Sequence, residues 1–204
     1  MATRTITRLY DTYDEAATAV RALEAAGVRH ADISVVGSGH DEASGRSEDA
    51  TPRADAGTGT GIGASLGTVV GGGAGLLAGI GALAIPGVGP IVAAGWLVAT
   101  LAGAGVGAAA GGLLGSITGA GVSEEDAHVY AEGVRRGGAV LSARVEEAEA
   151  ERFEAVLADG GQVDVAARRT EYQAVGWKRF DPAAPALTAT DVQAERSRRR
   201  VRVS

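Results

Sequence analysis

An α+β fold is predicted by two patterns: short β-prone runs alternating with amphipathic helical stretches at both ends of the chain, and a long uncharged, glycine-rich segment between them. The first pattern begins at Thr5 to Tyr10, a β-prone run read as a strand. Thr12 and Glu15 stand at capping-box spacing, where the hydroxyl and the carboxylate satisfy free backbone N–H groups at a helix start. Ala16, Val20 and Leu23 then recur at helical spacing, Gly27 stops the helix, and Asp32 to Val36 reads as a second strand. After the uncharged segment, Ser123 followed by Glu124, Glu125 and Asp126 starts a helix whose apolar stripe is Ala127, Tyr130, Ala131 and Val134. Gly137 and Gly138 end it. Ala139 to Val145 reads as a third strand, Ala148 to Asp159 as a helix burying Phe153, Val156 and Leu157, and Val163 to Ala167 as a fourth strand. Setting the insertion and its following helix aside, the order strand-helix-strand-strand-helix-strand is the ferredoxin-like, split β-α-β arrangement.

The expected organisation is therefore a split ferredoxin-like domain from 1–37 and 122–169. A polar linker covers 38–56, a two-helix hairpin 57–121, and a peripheral C-terminal segment with a basic tail 170–204. The chain has no cysteine, which excludes disulfides and thiolate metal sites, and its net charge of −6 argues against whole-chain nucleic-acid binding. Met1 to Tyr10 contains no apolar run of the secretory kind.

No charged residue occurs from Ala56 to Ser123, a run of 68 positions, and 22 of the chain's 32 glycines lie between Gly57 and Gly121. Ile85-Pro86-Gly87-Val88-Gly89-Pro90 divides the run, and the residues Pro86, Gly87, Gly89 and Pro90 mark a turn. Helices are expected at about 57–84 and 91–120, each long enough to cross a bilayer core of about 30 Å. Gly59, Gly63, Gly67, Gly71, Gly75 and Gly79 fall four apart. So do Gly95, Gly103, Gly107, Gly111, Gly115 and Gly119, with Ala99 filling the gap. Residues four apart adjoin on a helix, so each series forms a side-chain-free ridge on which a second helix can pack closely. The 20 large apolar residues interspersed oppose the alternative of a disordered glycine linker. Each ridge winds about 40° per glycine around a straight helix, so part of it is expected to face another copy of the chain.

Trp96 near the turn and the absence of charge favour a bilayer, which would leave the α+β domain on the cytoplasmic side. The alternative is a cytoplasmic, soluble homo-oligomer with the hairpins as its shared core.

No catalytic, cofactor or metal residues stand out. Gly57 to Gly63 carries GxG patterns but lacks the preceding strand and the following acid of a dinucleotide site. His30, His40 and His128 are unpaired at metal spacing. Glu146, Glu147, Glu149, Glu151 and Glu154 read as a solvated helix start. The last fourteen residues are basic by +3 and could meet anionic lipid headgroups. Without interleaved aromatics they offer nucleic acid no stacking platform.

Taken together, Thr5 to Tyr10 with Asp14-Glu15-Ala16, Ala25 to Val28 leading into Asp32 to Val36, the glycine-rich segment with its Ala84 to Pro90 turn, and Ala127 to Gly138 resemble a bacterial general stress protein domain family of the heat-induced kind. The similarity spans about residues 3–177. It implies a link to stress responses and supplies no catalytic residue. The expected function is thus a stress-related, membrane-associated structural or regulatory protein that self-associates through its glycine ridges, without catalysis. A small-ligand sensor built on the sheet is a further alternative.

Overall fold

The computed structural model describes residues 2–39, 81–85, 88–97 and 109–203. These form a mixed α+β fold around a five-stranded sheet in the order β1-β5-β2-β4-β3, antiparallel throughout. The strands are β1 (Thr3–Tyr10), β2 (Ile33–Ser38), β3 (Gly81–Ile85), β4 (Gly89–Ala94) and β5 (Ala139–Glu146). The helices are α1 (Tyr13–Ala25), α2 (Ala109–Gly119), α3 (Glu124–Arg135), α4 (Ala150–Ala158), α5 (Val165–Ala174) and α6 (Ala189–Val203).

Local signals set the first elements. The Thr12 hydroxyl accepts from the Glu15 N–H at 3.2 Å, while the Glu15 carboxylate accepts from the Thr12 N–H at 3.1 Å, completing the capping box of α1. The Ser123 hydroxyl accepts from the Asp126 N–H at 3.1 Å and starts α3. Period-two alternation then divides the strand residues between two faces. Ile6, Tyr10, Ile33, Val35, Leu141 and Ala143 pack with α1 and α4 on one side. Leu9, Val36, Val140, Ile91 and Ala93 pack with α2 and α3 on the other. Every residue of β2 is buried, as befits a strand covered on both faces.

Three of the four expected strands form, with β5 between β1 and β2 and antiparallel to both. Both flanks differ from a ferredoxin-like sheet. The fourth strand expected at Val163 to Ala167 is not formed. A single rung survives, the Val163 N–H donating to the Leu9 carbonyl at 2.8 Å. The Asp164 carboxylate then accepts from the Ala167 N–H at 3.0 Å and turns the chain into α5. A side-chain cap two residues into the run outweighed its strand propensity.

The other flank corrects the expected helices at about 57–84 and 91–120. Gly81–Ile85 and Gly89–Ala94 are strands, paired with each other in the register Ile85↔Gly89 to Gly81↔Ala93. β4 also pairs with β2, from Val35↔Ala94 to Ser38↔Ile91. The physical reason is the edge of β2. A buried strand must satisfy its backbone N–H and C=O groups, and β4 supplies the partners that solvent cannot. Glycine also weakens the helical competitor by about 1 kcal/mol per residue relative to alanine. Of the second expected helix, residues 96–97 and Ala109–Gly119 are helical among the described residues. Of the expected polar linker, Ser38 ends β2, whereas residues 40–56, the first helix up to residue 80 and residues 98–108 lie outside the described residues.

The C-terminal segment, expected to be peripheral, contributes to the core. Phe180 and Val192 are each 1 % exposed, and Phe180 packs with Leu9, Tyr130 and Val134. Two apolar residues twelve positions apart carry no periodicity, so the sequence had no way to show this anchorage.

Candidate functional site

The glycine ridges are the first candidate, and the structure separates their members. Gly115 and Gly119 lie on the exposed side of α2, where a Cβ added to either would meet nothing within 4 Å. Leu113 and Ile117, on the opposite side, are buried in the sheet–helix core and hold the helix down. Gly111 belongs to the same helix. Gly95 is not a ridge residue. It ends β4 with φ +89°, and an added Cβ would stand 2.2 Å from the Ile33 carbonyl oxygen. Its role is to let the β2 backbone come close. Beside it, the Ser34 hydroxyl donates to the Ala94 carbonyl at 2.8 Å and accepts from the Leu97 N–H at 3.1 Å. Gly59, Gly63, Gly67, Gly71, Gly75, Gly79, Gly103 and Gly107 lie outside the described residues. Of the turn residues, Gly89 and Pro90 open β4 opposite Ile85 and Ala84, while Pro86 and Gly87 lie outside the described residues. The turn therefore joins two strands where two helices were expected. Trp96, expected near a membrane interface, is half-buried with the Arg144 guanidinium 3.7 Å from its ring centroid.

The second candidate is an ionic cluster that the sequence did not reveal. Glu132, on α3, is 1 % exposed. One of its oxygens accepts from Arg135 at 3.0 Å and from Arg136 at 2.6 Å. Arg136 also stands 3.5 Å from Glu195 of α6, and its guanidinium lies 4.4 Å from the Tyr172 ring centroid. Burial alone would lower the Arg136 pKa, but the hydrogen bond and charge of Glu132 outweigh it and hold the group above its ordinary value. Arg135 donates to the Pro185 carbonyl at 3.1 Å, and Arg196 donates to the Gly137 carbonyl. Gly137, at φ +95°, would put a Cβ 2.3 Å from Val192 Cγ1. The cluster thus seats α6 on the turn after α3. The GlyGly pair was read from sequence as a helix stop. Its second use, as the floor under Val192, depends on a contact between residues 55 positions apart.

A parallel anchor fixes α5. Arg168 donates to both carboxylate oxygens of Asp11 at 2.6 and 3.0 Å and lies 3.1 Å from Glu171. Arg169 pairs with Asp126 and, at 2.8 Å, with Glu125. Both ties are structural, with every charge answered by a neighbour.

Among the described residues, an open groove of about 520 Å³ runs along β1 between Gly119–Ser123 and Glu154. Others of about 460 and 350 Å³ lie near Arg29 with Phe153 and near Gln162 with Val165. Arg4 bridges Glu154 at 3.1 Å, and Arg152 bridges Glu149 at 3.1 Å, so these two glutamates near α4 are held in ion pairs with neighbouring arginines. His30 lies 2.7 Å from Glu24, and the half-buried His128 has a buried Nδ1 with no partner among the described residues. His40 lies outside them. Among the described residues, no three His, Cys, Asp or Glu side chains converge on a metal position, and no helix is long and apolar enough to cross a membrane.

Compared with known protein families, with curated proteins and with solved structures, the chain matches none.

Proposed function

We propose that this chain is a non-enzymatic, self-associating protein of structural or regulatory kind, acting at a membrane, with its charge-free glycine-rich segment as the association element. The observation that carries this reading is the bare outer side of α2, where Gly115 and Gly119 face open space while Leu113 and Ile117 hold the helix on the sheet. Each glycine in a helix costs about 1 kcal/mol relative to alanine. No contact among the described residues offsets that cost at these two positions. A second helix laid along the ridge would offset it, through backbone approach and dispersion contacts that a side chain would block. The same four-residue spacing extends back through Gly111 and Gly107 to Gly103 in the sequence.

The test is a double substitution, Gly115→Leu with Gly119→Leu, on the full chain, read by light-scattering mass and by crosslinking. Loss of oligomers with an unchanged circular dichroism spectrum is the expected result. Oligomers that persist at wild-type proportion would refute the ridge as the contact.

Placement at a membrane is supported by the 68 successive positions without charge. A soluble homo-oligomer is the second reading. It is favoured by the fact that Val88, Ile91, Leu97, Leu113 and Ile117, all from the charge-free run, are buried against the chain's own sheet. Carbonate extraction separates the two: retention in the pellet supports the membrane, and release into the supernatant supports the soluble assembly. The stress-response role rests on the family resemblance alone, and protein abundance after heat and osmotic challenge tests it.

A further inference from the structure

Five arginines and no acid occupy the last nine positions, so the remainder of the chain carries −11 against the total of −6. The structure explains how so basic a segment is held on so acidic a body. Val192 is buried, Glu195 meets Arg136 at 3.5 Å, and Arg196 donates to the Gly137 carbonyl, which together fix the middle of α6. Beyond that anchor the helix continues to Val203, about 10 Å further at 1.5 Å per residue. Arg198 is 69 % exposed, and its partner Glu195 is shared with Arg136. Arg199, Arg200 and Arg202 follow, and residues 196–204 contain no acid. Cations at a helix C-terminus complement its dipole, but that effect fades within one turn and needs one or two charges.

We propose that the C-terminal half of α6 is a contact for an anionic lipid surface. Charge complementarity names the partner class. Val203, at the end of α6, lies about 10 Å along the helix axis from Arg196, comparable with the Debye length of about 8 Å at physiological salt. No aromatic residue follows Phe180, so the helix lacks the platform on which nucleic-acid bases stack. The choice of lipid rests on the membrane placement proposed above.

The test uses the full chain with vesicles of phosphatidylcholine alone and vesicles containing roughly one-third phosphatidylserine, at about 0.1 M salt. The wild type is expected to partition more strongly onto the anionic vesicles than onto phosphatidylcholine alone. The triple variant Arg198→Gln, Arg200→Gln, Arg202→Gln is expected to lose on the order of a hundredfold in partition coefficient. The matching Lys variant should retain binding, which separates charge from folding. Equal binding to both vesicle types, or no loss in the Gln variant, would overturn the proposal. So would binding to a DNA duplex with none to vesicles. Light-scattering mass without vesicles reports self-association separately: unchanged mass in the Gln variant alongside lost vesicle binding shows that the two surfaces are distinct.

Discussion

Two parts of this sheet were built by different rules. β1, α1 and β5 declare themselves locally, through a capping box at Thr12 and Glu15 and apolar residues in matching period. The β3–β4 pair and α2 come from a run with no polar residue frequent enough to define a face. Sequence periodicity separates helix from strand only where polar positions mark the outside. In a run of glycine, alanine and aliphatic residues both periods fit, and the unpaired edge of β2 decided for strand between Gly81 and Ala94. Where no strand edge was available, Ala109–Gly119 stayed helical and left its glycines facing outward. An uncharged glycine-rich run is therefore weak evidence for a single kind of structure along its length.

Substitution can break this contrast directly. Ile91 in β4 and Leu141 in β5 are both completely buried, so Ile91→Ala should cost about 2–5 kcal/mol, as much as Leu141→Ala. A urea midpoint for Ile91→Ala equal to wild type would remove β4 from the fold. Gly95→Ala probes the same junction. It forces a Cβ against the Ile33 carbonyl and a side chain into positive φ, and should cost about 3 kcal/mol. Stability preserved in that variant would mean that β2 and the end of β4 do not approach as described.

Alkali sharpens the comparison between the two faces of the sheet. Burial pushes the Tyr10 and Tyr130 phenols up to about 12 from an ordinary value of 10.0. The unfolded chain loses these protons first. Each tyrosine's contribution is therefore complete below about pH 10 and falls by about 1.4 kcal/mol per pH unit as pH rises toward 12. Tyr10 packs with α1 and Tyr130 with α2 and α3. Tyr10→Phe and Tyr130→Phe should each remove about half of this alkaline loss of stability. A slope unchanged in either variant would show that face to be open to solvent. The smallest effect belongs to Gly115→Ala. In an isolated chain it should stabilise by about 1 kcal/mol, because a Cβ there meets nothing. A melting temperature below wild type at high protein concentration, with the difference vanishing on dilution as the wild type dissociates, would instead mark a second helix lying on the ridge.

Much of the fold was legible in the sequence, and the misses share one cause. Thr12, Glu15, Gly27, Ser123 and Gly137 act on neighbours within a few residues, so their roles could be read directly. Asp164 carried the same kind of signal, but it sat inside a β-prone run and was overlooked as a cap. The spacing of Gly111, Gly115 and Gly119 predicts a ridge packed against another helix, and among the described residues nothing lies against Gly115 or Gly119. The buried Glu132 cluster was not, because its partners Glu195, Tyr172 and Pro185 lie 40 to 63 positions away.

By itself, the sequence determined the α+β class, the starts and stops of α1 and α3, the uncharged run and the basic end of the chain. These depend on composition and on interactions spanning a turn or less. Only the tertiary structure decided that β4 joins β2, that Gly95 is a close-approach residue, and that Phe180 and Val192 anchor the C-terminal segment. Each of those depends on which buried backbone or apolar surface needs a partner, and that need exists only once the rest of the sheet has assembled.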